Sequence, residues 1–352
     1  MVPEPRFAYV GSRTTTERKA RGQGIEVYRV RRNEREWTLV QVVAGLTNPS
    51  FLIADPDHRF LYTVHGDKSE ITSLAINPDN GTLRKVSTAS TLGRNPVHLV
   101  IHSPSQSVIV ANYATGSIVR IPISSDGVLG KSGRPLLLPG EPGPHQDEQT
   151  MSHPHQIVAD PSGRFFLVPD KGLDRVFTIA VDHHGQLQII ASAATRPGAG
   201  PRHAVFHRSG RFVYIVNELD STVTSYAFDS SSGQLSPIET AQSVPTNFLG
   251  ANRAAALVAS AKGDFIFASN RGHDSLVQFS VDGTTGRISD ARWQVTLGQG
   301  PRFAVVSPTG KSLFVANELS DSVVAYGLDK TGLTTGPFAT VESGSPVSIL
   351  LI

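Results

Sequence analysis

The sequence contains no cysteine, which excludes disulfide bonds, thiolate nucleophiles and cysteine-ligated metals. It also lacks a charge bias, because 32 Lys and Arg residues stand against 30 Asp and Glu, a net charge of +2. This balance gives no strong electrostatic reason to bind nucleic acid or an anionic membrane. No apolar run approaches the ~20 residues that span a bilayer, and the stretch from Met1 to Gly11 lacks the apolar core of a secretory signal. We therefore expect a globular, cytoplasmic protein with no nucleic-acid or membrane partner.

Glycine and proline are plentiful by contrast, with 32 and 23 residues in a chain of 352 that is 39% apolar and 18% charged. This is not the composition of a disordered chain. A short phrase, usually with a central proline, recurs along the chain and opens a set of apolar stretches separated by turns. Seven copies are found, centred on positions 49, 96, 154, 201, 253, 301 and 346. The intervals of 47, 58, 47, 52, 48 and 45 residues average 49.5, which is a period typical of propellers.

Each copy is expected to form four short strands. In the fourth copy, apolar and β-branched residues occupy 203–207, 212–216 and 222–228, and a weaker strand follows Leu235. Such segments between Gly, Pro, Asn, Asp and Ser turns are typical of β-meanders, and no stretch has sustained helical periodicity with caps at both ends. Four strands in every repeat predict an all-β fold, a seven-bladed β-propeller with four-stranded blades, in which residues 1–352 form a single domain.

The two ends of the chain are predicted to complete one blade together. Residues 345–352 supply only an innermost strand, whereas the chain begins with what would be the remaining strands at 7–10, 25–30 and 37–43. A composite blade closes the ring and removes two open sheet edges. One segment, 124–151, departs from the period. It is expected to be a long loop, either functional or a disordered decoration.

The repeat also predicts where polar side chains gather. The innermost strand begins just after the central proline and the second strand ends sixteen residues beyond it, as at Pro201 and Asn217. Because these strands are antiparallel neighbours, the start of one and the end of the other share an edge of the blade, and seven such edges surround one mouth of the channel. Ionisable residues are concentrated at this mouth on the third to sixth blades: His153, His155, Asp170, Lys171, Arg202, His203, Glu218, Arg253, Arg271, Arg302 and Glu318. A pocket with convergent polar groups is the default hypothesis for a site.

Some residues at the mouth also have a structural interpretation. Repeated asparagines at strand ends, such as Asn217 and Asn270, suit turns and hydrogen-bond the backbone through their side chains. Two histidines, His153 and His155, flank the third proline and could bind a metal, but no third ligand is visible in the sequence.

Two Arg–Glu pairs share one spacing. Arg202 and Glu218 are sixteen residues apart, as are Arg302 and Glu318, so each pair could be an ion pair that joins two strands. For the second pair we favour this structural role. For the first pair, the adjacent His203 and the polar neighbouring blades favour a site.

Several stretches together resemble one known family: NPSFLIADPDHRFLYTV, VANYATGSIVRIPISSDG, HPHQIVADPSGRFFLVPDKGLDRV, PGAGPRHAVFHRSGRFVYIVNEL, ASNRGHDSL and GPRFAVVSPTGKSLFVANELSDSV. They are similar to the seven-bladed β-propeller lactonases, a family that includes cycloisomerase-type 6-phosphogluconolactonases and fungal carboxymuconate lactonising enzymes. The resemblance extends from Phe7 to the C-terminus. It is far more specific for the family than for a substrate.

The resemblance implies four functional residues, His155, Arg202, Glu218 and Arg271, with His153 as the adjacent alternative for the histidine. All four lie at the mouth that the strand spacing predicts. The family often carries a cysteine in its last opening phrase, and SPVSILLI here has none. That departure affects the closing strand rather than the chemistry.

Three functions are compatible with these residues. The first is metal-independent hydrolysis of an anionic sugar-acid lactone such as 6-phosphogluconolactone, the second a lactonising cycloisomerase acting on a dicarboxylic or specialised metabolite, and the third a non-catalytic binding platform. Propellers host many functions, so the fold cannot choose among them. Either enzyme would take a small anionic lactone or carboxylate and is expected to need neither a metal nor an organic cofactor.

For hydrolysis, Arg202 or Arg271 would stabilise the oxyanion or hold an anionic group of the substrate. His155 or Glu218 would activate water, and the other would protonate the leaving ring oxygen. The residues expected to contact the substrate around them are His153, His203, Asn217, Asn270 and Arg302.

Overall fold

The computed structural model describes residues 4–31 and 33–352, and within them seven antiparallel sheets of four strands each form a propeller. The helical elements of the described residues are three short 3-10 turns at Thr16–Arg18, Ser103–Ser105 and Tyr113–Thr115. The prediction of an all-β propeller with seven four-stranded blades is confirmed. Met1, Val2, Pro3 and Arg32, which the predicted domain 1–352 includes, lie outside the described residues.

The chain begins with three strands of one blade, which we number 7, and then builds the other six in order. The first three strands are β1 (Phe7–Ser12), β2 (Gly24–Arg31) and β3 (Glu36–Ala44). Blade 1 contains β4 (Pro49–Ala54), β5 (Phe60–His65), β6 (Glu70–Ile76) and β7 (Leu83–Ser90). Blade 2 contains β8 (Pro96–His102), β9 (Ser107–Asn112), β10 (Ser117–Pro122) and β11 (Leu136–Leu137). Blade 3 contains β12 (Val158–Ala159), β13 (Phe166–Asp170), β14 (Arg175–Val181) and β15 (Leu187–Ala194).

The second half of the chain repeats the pattern with greater regularity. Blade 4 contains β16 (Pro201–Phe206), β17 (Phe212–Asn217), β18 (Thr222–Phe228) and β19 (Leu235–Gln242). Blade 5 contains β20 (Arg253–Ala259), β21 (Phe265–Arg271), β22 (Ser275–Val281) and β23 (Ile288–Val295). Blade 6 contains β24 (Pro301–Val306), β25 (Ser312–Asn317), β26 (Ser322–Asp329) and β27 (Gly332–Glu342). The last strand is β28 (Pro346–Leu351).

Blade 7 is built from both ends of the chain, as predicted. Its strand order is β28, β1, β2, β3, and Ile349 lies opposite Val10 in the antiparallel ladder. One face of this blade packs Tyr9 against Leu61 of blade 1, and the other packs Val10 against Phe314 of blade 6. The composite blade therefore closes the ring, and this closure leaves no gap between the first and last repeats.

The apolar core lies between neighbouring blades. Every residue of β17 is buried, whereas every residue of the outer strand β19 is half-buried or exposed. Tyr214 and Val216 of blade 4, for example, pack with Ile266 and Ala268 of blade 5. The inner strands are thus covered on both faces and read as continuous apolar runs, which explains why the sequence pattern is strongest there.

Every blade has one extra residue just after the opening position of its innermost strand. In blade 4, Pro201 lies opposite Asn217 but His203 lies opposite Val216, so Arg202 is an unpaired bulge residue. The same shift occurs in blades 1, 2, 6 and 7. In blades 3 and 5 the ladder is interrupted over 155–157 and 255–256. A bulge bends the strand and redirects one side chain, so seven redirected residues face the same mouth.

The fifth phrase is centred one residue later than predicted. Ala254, not Arg253, lies opposite Asn270, and Arg253 lies opposite Arg271. The spacing in blade 5 is therefore sixteen residues, as in the other blades. The prediction was displaced because this copy has no proline to mark its centre.

From its composition, segment 124–151 was expected to be a long loop. Part of it instead forms a strand. Leu136–Leu137 pairs with β10 as the outer strand of blade 2. Further along, the Gly143 amide donates to the Gly172 carbonyl, and the Gln149 side chain donates to the Lys171 carbonyl. Residues 138–151 are thereby attached to the mouth of the propeller.

Candidate active site

The residues directly after the opening position of the innermost strands form an inner ring around the mouth of the channel: Ser50, Val97, His155, Arg202, Ala255, Arg302 and Val347. Six of these seven, all but Ala255, line one cavity together with Arg13, His98, His203, Phe51 and Phe303. The enclosed space of this cavity is small, about 20 Å³, which is roughly enough for one water molecule. The predicted residues His155, Arg202, His203 and Arg302 therefore share one cavity.

A wider outer ring is formed by the residue that follows the second strand of each blade, or in blade 5 ends it: Arg13, Gly66, Tyr113, Lys171, Glu218, Arg271 and Glu318. Cationic and anionic side chains alternate along much of this ring. Glu218 lies between Lys171 and Arg271, with Oε1 3.3 Å from Lys171 Nζ and Oε2 3.2 Å from Arg271 Nη2. Glu318 Oε1 lies 3.7 Å from Arg13 Nε. The two rings together gather the ionisable groups of several blades at a single mouth.

Glu218 is the electrostatic centre of this arrangement. Its side chain is 6% exposed, and Oε2 also lies 2.8 Å from Arg202 Nε. Burial alone would raise the pKa of Glu218, but the charges of Arg271, Lys171 and Arg202 outweigh burial and hold that pKa well below its usual range. Glu218 is therefore ionised at any physiological pH and holds the two guanidinium groups in place.

Arg202 is fixed by more than its carboxylate partner. Its Nη1 donates to the Ala255 carbonyl at 2.6 Å and to His203 Nε2 at 3.0 Å. A guanidinium group can only donate, so His203 accepts with Nε2 and must be neutral. Burial and the charge of Arg202 both lower the pKa of His203 well below its usual value, in agreement with that tautomer.

His155 is held by its backbone and keeps a free ring nitrogen. The His155 amide donates to the Pro169 carbonyl at 3.0 Å, whereas its buried Nδ1 has no hydrogen-bond partner. The ring lies 5.4 Å from the ring of His203, measured between centroids. Burial, followed by the charges of Arg202, Arg302 and Lys171, lowers the pKa of His155 well below its usual value. The imidazole is therefore neutral, and burial and the neighbouring cations make it a weaker base than an ordinary histidine.

His153 has a different environment from His155. Its Nδ1 lies 2.9 Å from the Tyr113 carbonyl, and its ring stacks on that of Tyr113 at 4.5 Å. The His153 amide donates to Asp170. Although His153 was predicted to contact the substrate, it is not among the residues that line the cavity. Its contacts are those of a residue that orders the start of blade 3.

The two predicted asparagines are engaged inside their blades. Asn217 Nδ2 donates to Thr222 and Thr224. Asn270 Nδ2 donates to the Ser243 carbonyl at 2.7 Å. Neither residue lines the cavity, and these contacts favour the structural interpretation that the repeated asparagines also allowed.

Both Arg–Glu pairs form ion pairs, with different geometry. Arg302 Nη1 lies 3.6 Å from Glu318 Oε2, and both side chains are about one-fifth exposed. Arg202 and Glu218 are closer and almost fully buried. The same sixteen-residue spacing therefore joins two strands in both blades, but the blade 4 pair is closer and more deeply buried.

Two residues at the mouth were missed by the sequence analysis. Arg13 occupies the outer-ring position of blade 7, and the signal for it was its place directly after the second strand of the composite blade. Glu148 comes from segment 124–151 and contacts Lys171 Nζ at 2.7 Å and the guanidinium of Arg253. No repeat signal could have placed Glu148, since it lies outside the repeated phrases.

The described residues contain no group of three or more His, Asp or Glu side chains arranged to hold a metal ion. Within the same ranges, 4–31 and 33–352, no helix has the length and apolar character needed to cross a membrane.

Comparison with known proteins points to one family. The model of the seven-bladed β-propeller lactonases matches residues 7–351. The 6-phosphogluconolactonase of Formosa agariphila is 30% identical over 352 residues, which cover 96% of this chain and 97% of that protein. The 6-phosphogluconolactonase of Bacillus subtilis is 27% identical over 346 residues, 97% of each chain. Among solved structures, the periplasmic gluconolactonase of Pseudomonas aeruginosa has a TM-score of 0.89 at 30% identity and covers 98% of both chains.

Proposed function

Because the chain belongs to the seven-bladed β-propeller lactonase family, we propose that it is an enzyme that hydrolyses an anionic sugar-acid lactone such as 6-phosphogluconolactone. Two relatives across nearly the whole chain carry that name, and a structural neighbour is a gluconolactonase. One observation supports the proposal above the others: His155 and Arg202 line the same cavity. His155 is a neutral imidazole with an unpaired ring nitrogen, and Arg202 is a guanidinium group held by several contacts.

The charge of the mouth favours an anionic substrate. Six cationic side chains, Lys171, Arg13, Arg202, Arg253, Arg271 and Arg302, share three carboxylates, Glu148, Glu218 and Glu318. A positive surplus in a partly enclosed cleft attracts anions and strengthens their binding. A lactone that carries a phosphate or carboxylate group would offset this surplus.

In the proposed mechanism, His155 takes a proton from a water molecule whose oxygen attacks the lactone carbonyl carbon. Negative charge develops on the carbonyl oxygen, and the Arg202 guanidinium, with Arg271 beside it, stabilises that oxyanion. When the tetrahedral intermediate collapses, the bond from the carbonyl carbon to the ring oxygen breaks. The ring oxygen takes the proton from His155 and leaves as a hydroxyl group, while the carbonyl becomes a carboxylic acid.

Glu218 has a positioning role in this scheme. A carboxylate whose pKa is far below its usual range, because of the charges of Arg271, Lys171 and Arg202, cannot donate a proton near neutral pH. It instead fixes the orientation of Arg202 and Arg271. We therefore assign both proton transfers to His155, where the sequence had left His155 and Glu218 as alternatives.

The assay that tests the proposal compares purified protein with buffer on freshly made 6-phosphogluconolactone and glucono-δ-lactone, with acid release as the readout. We expect hydrolysis well above the spontaneous rate, and a loss of that excess in His155→Asn. A muconate panel run in parallel tests the lactonising alternative. Folded protein that accelerates no lactone hydrolysis would overturn the proposal, and turnover of a muconate alone would replace it with the lactonising activity.

For the compartment, we propose the cytoplasm. The gluconolactonase of Pseudomonas aeruginosa is periplasmic, so the fold alone does not decide the compartment. Fractionation of cells that express the chain with its own N-terminus tests this, and recovery in a secreted or periplasmic fraction would contradict it.

A further inference from the structure

Arg13 is a buried cation whose hydrogen-bonding groups are only partly used. It directly follows β1 at the outer-ring position of blade 7, and its side chain is 5% exposed. The Nε and Nη1 atoms are buried and have no hydrogen-bond partner. Its ion pair with Glu318 Oε1 is 3.7 Å long, which is beyond hydrogen-bonding distance. Two donors of this guanidinium group therefore have no hydrogen-bond partner among the described residues.

The carboxylate beside Arg13 does not neutralise its surroundings. Glu318 is shared with Arg302, whose Nη1 lies 3.6 Å from Oε2, so two guanidinium groups face one carboxylate. Burial, and then the charge of Arg302, lowers the pKa of Arg13 to about 9, although Glu318 opposes this shift. Arg13 is still charged at neutral pH. A buried charge without a full complement of partners is costly to a protein, and such residues are concentrated at functional sites.

Two neighbours of Arg13 border the same cavity as the residues assigned to the reaction. The Ser50 hydroxyl is also buried without a hydrogen-bond partner, and Arg13, Ser50 and Arg302 line the cavity that contains His155 and Arg202. A Cβ atom on Gly66 would lie 2.5 Å from Arg13 Nη1 and 3.3 Å from Ser50 Oγ. The absence of a side chain at Gly66 therefore gives the Arg13 guanidinium group and the Ser50 hydroxyl the space that they occupy beside the cavity.

The two sides of the mouth differ in the lengths of their arginine–glutamate ion pairs. On the blade 4 side, Arg202 and Arg271 approach Glu218 to 2.8 and 3.2 Å. On the blade 7 side, Arg13 has no contact of comparable length with Glu318. The ion pairs on the blade 7 side are thus the longer ones, and Arg13 has two buried nitrogens without a hydrogen-bond partner, whereas Arg202 and Arg271 have one each.

We propose that Arg13, Arg302 and the Ser50 hydroxyl form an anion subsite that binds the phosphate group of a phosphorylated sugar lactone and selects it over the uncharged lactone. This inference rests on the proposed function. Guanidinium groups bind phosphate oxygens in pairs, with charge-assisted hydrogen bonds. A phosphate monoester carries close to two negative charges at neutral pH, and the Ser50 hydroxyl can donate to a third oxygen.

The test compares kcat/KM for 6-phosphogluconolactone with kcat/KM for glucono-δ-lactone. Removal of the charge-assisted bonds in Arg13→Met should lower the ratio of the two values by roughly 10- to 150-fold. Arg13→Lys keeps the charge but loses the paired donors, so a smaller fall is expected. The matched control is Arg287→Met, which removes an arginine that is 63% exposed and pairs with Glu239 away from the cavity.

Stability separates a binding role from a structural one. If the main role of Arg13 is to stabilise the fold, Arg13→Met will lower the melting temperature. If its role is to bind an anion, the melting temperature will stay the same or rise, because a buried charge is removed. The reaction product 6-phosphogluconate should stabilise the wild-type protein more than gluconate does, and Arg13→Met should abolish that difference. If the methionine variant does not fold, Arg13→Lys and Ser50→Ala carry the same comparison.

The outcomes distinguish this inference from the proposed function. A wild-type protein that hydrolyses both lactones, with the same substrate ratio in Arg13→Met, overturns the subsite alone. A wild-type protein that hydrolyses neither overturns the proposed function and the subsite with it. Selective loss of activity on the phosphorylated lactone supports both.

Discussion

Arg202 Nε lies 2.8 Å from Glu218 Oε2 across the boundary between two adjacent strands of blade 4. The register explains the contact, because Pro201 lies opposite Asn217 and the two residues follow these partners directly. Blade 6 has the same register and places Arg302 3.6 Å from Glu318. The tighter geometry in blade 4 comes from its neighbours, since Lys171 of blade 3 and Arg271 of blade 5 both converge on Glu218.

Glu218→Gln should damage both stability and catalysis. The change leaves Arg202, Arg271 and Lys171 without the carboxylate that they share. Removal of one partner from a buried ion pair costs about 3–5 kcal/mol, so urea denaturation should show a loss in the free energy of unfolding of that order. Because Arg202 also loses its orientation, kcat should fall by roughly 10²-fold. Glu318→Gln, in the more exposed pair, is the control and should cost less stability.

His155→Ala should lower turnover by ~10²-fold or more while the fold stays intact, because the proposed general base is removed. His153→Phe provides the comparison within the same phrase. Its ring stacks on Tyr113 rather than lining the cavity, so its loss of turnover should be at least about tenfold smaller. Steady-state kinetics with circular dichroism measures both variants. Equal losses, or a larger loss for His153→Phe, would assign the base to His153.

The fold could be predicted from the sequence because each repeat marks its strands by apolar and β-branched residues and its turns by Gly, Pro, Asn, Asp and Ser. The segment predicted at 212–216 is found as Phe212–Asn217, and buried inner strands are recognisable as apolar runs. The outer strand Leu136–Leu137 could not be found in this way. Two residues cannot establish a period, and the surrounding glycines and prolines predict a loop. Its place is set by the edge of β10 rather than by its own composition.

The candidate site was predictable wherever it follows the repeat. Arg202 and Glu218 were placed by the sixteen-residue spacing alone. Arg13 follows the same rule, but its opening phrase stands at Pro346, at the opposite end of the chain, so the equivalence is visible only once the ring is closed. Glu148 depends on the path of an irregular segment over the mouth, and Arg253 was displaced by one position because its copy lacks proline.

Stability should fall between pH 7 and pH 5 because of buried histidines. Burial, and then the charge of Arg202, lowers the pKa of His98 to about 3, and the pKa values of His155 and His203 are also lowered well below normal, first by burial. In the unfolded chain these groups titrate near 6.5. Below about pH 6.5 the unfolded state therefore binds more protons than the folded state. The free energy of unfolding decreases as the pH is lowered.

Each such histidine contributes up to about 1.4 kcal/mol per pH unit in that window. Urea denaturation at pH 5, 6 and 7 measures the slope, and His98→Gln should reduce it by about the contribution of one group. The carboxylates with lowered pKa, such as Glu218, act only below about pH 4.3 and do not confuse the comparison. A free energy of unfolding that is constant from pH 7 to pH 5 would contradict this prediction.

Glu148→Gln should loosen the segment that crosses the mouth. The Glu148 carboxylate joins this segment to Lys171 of blade 3 and Arg253 of blade 5. Without the carboxylate, amides such as those of Gly143 and Gln149 should exchange roughly tenfold faster, because local opening becomes easier. Hydrogen exchange followed by mass spectrometry measures this. Glu141→Gln, an exposed change in the same segment, is the matched control, and equal exchange in both variants would show that Glu148 does not hold the segment.

Closure of the ring should depend on the side chains of β28 that pack against blade 6. Ile349 is 2% exposed and lies in the same apolar cluster as Phe314, so Ile349→Ala should reduce the free energy of unfolding by about 2–5 kcal/mol. Leu39→Ala removes a 53% exposed leucine from β3 of the same blade and should change stability by less than about 0.5 kcal/mol. Because total stabilities are about 5–15 kcal/mol, the first change alone would remove a large share. If the two variants unfold at the same urea concentration, the contact between the last strand and blade 6 contributes little to closure, and the ladder with β1 must carry it instead.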